Sequence, residues 1–267
     1  MTEQANGRDA GSRPDGLSCD AWLGGHLTLV QPRRGHRAGT DAALLAAAAG
    51  FPNGRFADVG AGVGAVALAI LRRLPRVSAD LVEIDADLAA FAAGNAERNG
   101  LAERARIFRL DVCDARARRA AELADGQAEA VVTNPPFFDA GAVRVSPDGA
   151  RARAHVFAGG TGAAPLVAWV RACLAILKPD GRFVMIHRPE ALAAILAAAE
   201  NRLGALALLA VHPRAGASAH RLLVSGVKGS KAPLQIAPGL VLHEADGRLT
   251  AQADAIHRGE ALIDWGA

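Results

Sequence analysis

The chain has 267 residues and a formal net charge of +3, enough for one large domain or for a domain with extensions. Its longest apolar runs, residues 42–51 and 203–211, are well short of the roughly 20 residues that span a bilayer. The first 16 residues are polar and lack the apolar core of a signal peptide. We therefore expect a cytoplasmic protein without a membrane partner, beginning with a disordered tail over residues 1–18.

The cysteines and the distribution of charge indicate which kinds of site and partner to expect. Cys19, Cys113 and Cys173 are odd in number and far apart, which argues against a disulfide framework or a metal site. Residues 131–231 contain twelve Lys or Arg and five Asp or Glu, a net charge of +7. A polyanionic partner meeting this basic half would gain from counterion release, although ordinary solvated surface can carry the same charges.

Apolar runs alternate with helical patterns along most of the chain. Ahead of the core, residues 21–30 predict a hairpin that turns at Gly24-Gly25, and residues 41–49 predict a helix opened by Thr40. Four further helices are predicted at residues 63–74, 86–98, 165–177 and 190–203. Seven strands are predicted at residues 56–59, 81–84, 106–110, 131–132, 182–187, 206–211 and 221–227.

This alternation predicts an α/β fold with a Rossmann-like, seven-stranded and mostly parallel sheet. The last two strands are joined by a short turn, which implies that the last strand is reversed. We assign residues 19–50 to an N-terminal extension, 51–231 to the core and 232–267 to a C-terminal extension without an evident role. Residues 138–161 form a Gly-rich and Arg-rich loop, of the kind that serves as a functional lid or is disordered.

Polar residues follow four consecutive strands. Asp58, Gly60 and Gly62 follow the first, and their glycines allow a ligand to approach the backbone before a helix begins. Glu83, Asp111 and Asn134 end the next three strands. An acidic residue at the second strand end reaches ribose hydroxyls in nucleoside-binding folds. The glycine turn also matches the G-x-G-x-x-G/A pattern of dinucleotide sites, so the identity of the nucleotide stays open at this point.

The tetrapeptide Asn134-Pro135-Pro136-Phe137 is the most informative motif. The amide oxygen of Asn134 and the carbonyl of Pro135 are two acceptors at a set separation, and Phe137 adds a flat platform. Such a group suits a planar amino group, for example N6 of adenine. The competing interpretation is a simple strand-to-loop turn, since Asn and Pro are common turn residues.

These motifs resemble a known class of enzymes. DVGAGVGAVAL at 58–68, Glu83, LDV at 110–112 and NPPF at 134–137 are similar to class I S-adenosylmethionine-dependent methyltransferases that modify amino nitrogens of bases or of glutamine. QPRRGHRAGTD at 31–41 resembles the bacterial tRNA(Val) adenine-37 N6-methyltransferase family. The likeness runs from about residue 20 to about residue 255.

The resemblance implies S-adenosylmethionine as cofactor, RNA and specifically tRNA as partner, and a role for each matched residue. The residues that would bind the methionine part are Asp58, Gly60 and Gly62, together with Arg37, Thr40 and Asp41. Those that would bind the ribose and adenine are Glu83, Asp111 and Val112. Those that would hold the target and carry the catalysis are Asn134, Pro135, Pro136 and Phe137, with Asn134 also contacting the cofactor.

The basic loop supplies further candidates for substrate binding, namely Arg144, Arg151 and Arg153. No metal is expected, because the histidines lack metal-ligand spacing. We interpret Trp169 and His187 as packing residues.

Three alternatives stay open from the sequence. The acceptor could be a glutamine side-chain amide in a protein, which NPP-aromatic sites also accept. The glycine turn could belong to a nicotinamide-dependent oxidoreductase, although no hydride-transfer acid is evident. The chain could also bind cofactor and RNA without catalysis. The sequence does not predict the oligomeric state.

Overall fold

A computed structural model describes residues 16–35, 37–51, 53–136 and 163–266. Its first elements are an antiparallel hairpin, β1 (Leu17–Trp22) and β2 (Leu27–Pro32), and the helix α1 (Thr40–Ala48). The later strands are β3 (Gly54–Val59), β4 (Val77–Glu83), β5 (Ala105–Arg109), β6 (Ala128–Thr133), β7 (Leu177–His187), β8 (Leu203–Arg214), β9 (Arg221–Lys228), β10 (Gln235–Ile236) and β11 (Leu240–His243). The later helices are α2 (Ala65–Arg73), α3 (Ala86–Arg98), α4 (Ala115–Ala120), α5 (Ala163–Ile176), α6 (Leu192–Ala199) and α7 (Ala251–His257).

The large sheet confirms the predicted architecture and adds to it. Within the described ranges it has nine strands, in the order β10-β8-β9-β7-β6-β3-β4-β5, with β11 also paired to β8. Strand β9 is antiparallel to both of its neighbours, and the other pairs in this sheet are parallel. The seven predicted strands are thus present with the last of them reversed. The two additional strands come from the C-terminal extension.

The sheet changes direction beside β3. The chain runs from β3 outward through β4 and β5, then returns to the other side of β3 as β6 and continues to β7. Such a point leaves a crevice outside the carboxyl ends of the two central strands, where open α/β sheets bind ligands. Val59 pairs with Thr133 at the ends of β3 and β6. The glycine turn and Asn134 therefore leave the sheet side by side.

Apolar side chains cover both faces of the sheet. One cluster packs the sheet against α1, α2, α3 and α7, and the other packs it against α5 and α6. Ala130, Val131 and Val132 of β6 are fully buried, which explains why this central strand reads as an apolar run without alternation.

Some element boundaries differ from the sequence predictions. The predicted helix 190–203 is shorter, because a 3-10 turn at Pro189–Ala191 precedes α6 and Asn201 adopts a left-handed conformation with φ 58° after it. The charged segment after β5 contains α4, whose first turn is capped by the Asp114 carboxylate. Strand β1 begins at Leu17, two residues inside the predicted tail.

Asn95 of α3 and Asn99, which caps the end of this helix, attach the N-terminal hairpin to the core. The Asn95 side chain is fully buried; its Oδ1 accepts from the Val30 N–H at 2.8 Å, and its Nδ2 donates to the Val30 and Val63 carbonyls at 3.0 Å each. Asn99 makes the equivalent pair of bonds with the Thr28 backbone. The hairpin is thereby held on the helix that packs beside the glycine turn.

We predict that Asn95→Ala lowers the free energy of unfolding by about 2–4 kcal/mol, because it removes the partner of the Val30 N–H, the Val30 carbonyl and the buried Val63 carbonyl. Urea unfolding followed by circular dichroism measures this. The exposed Glu97 on the same helix supplies a control, since Glu97→Ala should change the free energy by no more than about 0.5 kcal/mol. Equal effects of the two substitutions would contradict this role of Asn95.

Candidate active site

A cavity of about 390 Å³ opens at the carboxyl ends of β3 and β6. It brings together residues that are far apart in the sequence but were predicted to form one site. The predicted residues that line it are Arg37, Thr40, Asp41, Asp58, Gly60, Gly62 and Asn134.

The glycine turn after β3 has backbone conformations that residues other than glycine adopt only with strain. Gly60 and Gly62 have φ values of +75° and +56°. A Cβ on Gly60 would lie 3.0 Å from Cζ2 of Trp169, so this position is closed to larger residues by packing as well. The Gly60 and Ala61 N–H groups donate to the Val82 carbonyl at 2.9 and 3.1 Å. These bonds hold the turn against the end of β4, with bare backbone toward the cavity.

Asp58 is the buried carboxylate of the site. Its side chain lines the cavity yet is only 2% exposed, and its Oδ2 accepts from the Ala67 N–H in the first turn of α2 at 3.0 Å. Burial raises the pKa of Asp58 to about 7, the Ala67 hydrogen bond opposes that rise, and the charge of Glu83 adds to it. A cation in the cavity would favour the ionised form.

A second, smaller cleft adjoins the cavity at Gly60. Its lining includes Glu83, Asp111 and Val112, the three residues predicted for the ribose and adenine, together with Trp169. Glu83 Oε2 accepts from the Gly62 N–H at 2.8 Å, and its Oε1 accepts from the N–H groups of the two residues that follow. The carboxylate is thus fixed in position between the glycine turn and the second cleft.

The N-terminal hairpin positions Arg37 at the cavity. Arg37 Nη2 donates to Asp20 Oδ2 at 2.7 Å, and the same carboxylate oxygen accepts from Gln31 Nε2 and Ser18 Oγ. Hydrogen bonds from Gln31 and Ser18, followed by the charge of Arg37, lower the pKa of Asp20. Gln31 also accepts from the Ala38 N–H at 3.0 Å, which fixes the loop leading to α1.

The cavity residues that were not predicted from the sequence include four near the end of the chain, namely His220, Arg221, Leu242 and His243. Arg221 Nε donates to Asp41 Oδ2 at 2.8 Å and so connects the start of β9 with the start of α1. The location of His220 and Arg221 at the cavity could have been predicted from the sequence. A reversed strand begins at the same edge of the sheet at which the parallel strands end. Leu242 and His243 belong to the C-terminal extension, for which the sequence offered no role.

The C-terminal extension supports the cavity in a second way. His257 of α7 has Nε2 at 3.1 Å from the Thr40 hydroxyl and Nδ1 at 2.7 Å from the Ala253 carbonyl. Farther along the chain, the Ile263 N–H donates to the Ala47 carbonyl at 3.0 Å. Helix α1, whose first residues line the cavity, is thereby held by residues from the end of the chain.

The predicted target-binding motif is described only in part. Asn134 lines the cavity and is partly exposed, Pro135 is buried and Pro136 is exposed. Phe137, Arg144, Arg151 and Arg153 lie outside the described residues.

Several cations of the basic half have contacts within the protein. Two of them pair with a carboxylate that offsets their charge, Lys178 with Glu129 and Arg221 with Asp41. The others bond to neutral groups and keep their charge, namely Arg182 with the Ser225 hydroxyl, Arg202 with the Glu200 carbonyl, and Lys228 with the Leu174 and Leu177 carbonyls.

Two further observations concern the part of the chain that the structure describes. No helix there is both long and apolar enough to cross a membrane. No group of three or more His, Cys, Asp or Glu side chains there has an arrangement suited to a metal ion.

Comparisons with known proteins show the family to which the chain is similar. Residues 38–148 match the family model described as "Methyltransferase small domain". The chain is 33% identical to the tRNA1(Val) (adenine(37)-N6)-methyltransferase of Aeromonas hydrophila subsp. hydrophila, over 79% of this chain and 84% of that protein. It is 28% identical to the protein of the same name from Musicola paradisiaca, over 79% of this chain and 82% of that protein.

A solved structure extends the likeness to the fold. It is described as a predicted O-methyltransferase from Agrobacterium tumefaciens, with a TM-score of 0.70 and 30% identity, covering 85% of this chain and 100% of that one. The chain therefore belongs to the S-adenosylmethionine-dependent methyltransferases, within the family whose curated members are named tRNA1(Val) (adenine(37)-N6)-methyltransferase.

Proposed function

We propose that this enzyme transfers the methyl group of S-adenosylmethionine to N6 of an adenine in tRNA. The observation that carries the proposal is the position of Asn134, which leaves β6 at the switch point and lines the same cavity as the glycine turn of β3. A methyl donor bound at the glycine turn would have the acceptor oxygens of Asn134 and Pro135 beside it. The names of the two curated relatives support adenine N6 in tRNA as the target.

The residues around the cavity fit this cofactor. In the proposed arrangement Asp58, Gly60 and Gly62 hold the methionine part with Arg37, Thr40 and Asp41, while Glu83, Asp111 and Val112 hold the ribose and adenine. The cofactor supplies an electrophilic methyl group on a positively charged sulfur. Asp58 provides the matching negative charge, because a buried carboxylate that holds its proton near neutral pH ionises more readily beside a cation.

Asn134 and Pro135 act on the acceptor nitrogen. The lone pair of an adenine amino group is delocalised into the ring, so the nitrogen attacks poorly unless it turns out of conjugation. The Asn134 amide oxygen and the Pro135 carbonyl accept hydrogen bonds from its two N–H groups, orient its lone pair toward the methyl group and stabilise the positive charge that develops. Once methylated, the nitrogen releases one of its two original protons, which restores a neutral amine. Such acceptors act through positioning and electrostatics. Phe137 stacks on the base, a contact of about 1–3 kcal/mol.

The two-acceptor arrangement favours an amino group over a hydroxyl. An –NH2 group offers two protons to two oxygens, whereas a hydroxyl offers one. This favours nitrogen as the acceptor here, although the Agrobacterium neighbour is described as a predicted O-methyltransferase. A glutamine amide also offers two protons, and the sequence relatives decide in favour of adenine.

Substrate binding rests on the tRNA backbone as well as on the base. Arg144, Arg151 and Arg153 follow the Asn134 motif in the sequence, and we infer that they contact RNA phosphates. A base in structured RNA has to be flipped out to reach the cavity. Action on tRNA would place the enzyme in the cytoplasm.

We predict that Asn134→Ala lowers the rate of methyl transfer at least about 100-fold, because one of the two acceptors is lost. Asn134→Asp keeps an acceptor oxygen at the same position and should retain at least about tenfold more activity than the alanine variant. Single-turnover methylation measures the rate, and calorimetry measures the dissociation constant of S-adenosylhomocysteine. Full activity of Asn134→Ala would contradict the assigned role.

The nature of the acceptor is tested with cofactor labelled in its methyl group. Total tRNA and total protein from a strain lacking the enzyme are incubated separately with the purified chain. We expect label in tRNA, recovered as N6-methyladenosine after digestion, and tRNA(Val) is the first purified species to examine. Label in protein and none in RNA would overturn the tRNA proposal.

Asp58 predicts a pH dependence of stability in the ligand-free enzyme. Its pKa is raised to about 7 in the fold, so the folded protein binds more protons than the unfolded chain between about pH 4 and pH 7. Stability from this group is therefore lost as pH rises through that window. Relative to Asp58→Asn, whose amide does not titrate, the wild type should lose about 3 kcal/mol of unfolding free energy between pH 5 and pH 8. Parallel pH profiles in urea unfolding would contradict this.

A further inference from the structure

We propose that Trp169 and Thr133 are positioning residues for methyl transfer, acting through Asn134 and the glycine turn. The two side chains form a buried hydrogen-bonded chain that joins α5, β6 and β3. Trp169 Nε1 donates to Thr133 Oγ1 at 2.9 Å, and Thr133 Oγ1 donates to the Val59 carbonyl at 2.8 Å. This proposal rests on the function proposed above.

The hydrogen-bonded chain lies in an apolar interior. Thr133 and Val59 are fully buried and Trp169 is 8% exposed. A buried indole N–H, hydroxyl or carbonyl is costly unless it is paired. Each of these three groups is hydrogen-bonded to another of them. A rotation of the Trp169 ring, or a shift of β6 relative to β3, would therefore leave a buried polar atom without a hydrogen bond.

Both ends of this arrangement reach the proposed reaction centre. Val59 is followed directly by Gly60, and Thr133 is followed directly by Asn134. The Trp169 ring itself lies against the glycine turn, since a Cβ built on Gly60 would be 3.0 Å from Cζ2 and 3.3 Å from Cη2. The same ring lines the second cleft with Glu83 and Asp111. One side chain thus contacts the cofactor turn and fixes the strand that carries the acceptor oxygens.

The inferred role is to set the distance between the methyl donor and Asn134. Methyl transfer needs an in-line approach, and a misplacement of about 1 Å can cost about 100-fold in rate. A register held by main-chain pairing alone allows small sliding and twisting at strand ends. The Thr133 hydroxyl adds a bond between the last residues of β6 and β3, at the point where both chains leave the sheet.

The test compares Thr133→Val, which removes the hydroxyl and keeps the shape, with Thr133→Ser, which keeps the hydroxyl and serves as the matched control. Trp169→Phe keeps a ring and removes the N–H. We expect Thr133→Val and Trp169→Phe to lower kcat about 10- to 100-fold. In Thr133→Val, whose altered side chain lines neither cleft, the dissociation constant of S-adenosylhomocysteine should stay within about threefold. Thr133→Ser should keep kcat within about threefold of the wild type.

Three outcomes would overturn the proposal: an unchanged kcat in Thr133→Val, equal losses in the valine and serine variants, or a loss of cofactor affinity in Thr133→Val that parallels its loss of kcat. A substrate-independent readout separates this proposal from the proposed function. Amide hydrogen exchange in the peptide spanning residues 131–136 should be faster in Trp169→Phe and Thr133→Val than in the wild type and Thr133→Ser. If the wild type leaves tRNA unmodified, the proposed function fails. In that case, exchange that is unchanged in Trp169→Phe and Thr133→Val would overturn the positioning role as well.

Discussion

The parallel pairing of β3 with β6 is the constraint on which the rest of the site depends. These two strands are adjacent in the sheet but lie on opposite sides of the excursion through β4 and β5. Their register pairs Val59 with Thr133, so the backbone proposed to approach the cofactor and the side chain proposed to accept from the target amine emerge next to each other. A slip of one residue would turn Asn134 to the other face of the sheet. The apolar faces of both strands, buried by helices on either side, fix this register.

The outer elements form the walls of the cavity around this crevice. The N-terminal hairpin presents Arg37 through Asp20, and α1 contributes Thr40 and Asp41. The reversed strand β9 begins with Arg221, which pairs with Asp41. The C-terminal extension adds Leu242 and His243 to the wall. The core thus provides the strand ends of the site, while the segments before and after it in the sequence complete the methionine end of the proposed cofactor site.

The sequence predicted the centre of this arrangement better than its edges. Strand ends with Asp58, Glu83, Asp111 and Asn134 could be predicted because apolar runs followed by polar residues mark where parallel strands finish. Residues such as Leu242 and His243 could not, because short edge strands like β11 have no distinctive periodicity and are formed by pairing with β8. Trp169 was interpreted as a packing residue, which agrees with its burial. Its bond to Thr133 depends on how α5 packs on the sheet, which single-sequence periodicity does not encode.

The central claim is that the Asn134 amide oxygen and the Pro135 carbonyl accept hydrogen bonds from the two N–H groups of an adenine amino group. A crystal structure of the enzyme with S-adenosylhomocysteine and an adenosine-containing anticodon stem-loop tests it most directly. The account predicts that N6 of the target adenine lies about 2.7–3.2 Å from both oxygens, on the side facing the cofactor sulfur. The account would be contradicted if the adenine amino group lay away from Asn134 and another functional group were hydrogen-bonded to the two oxygens.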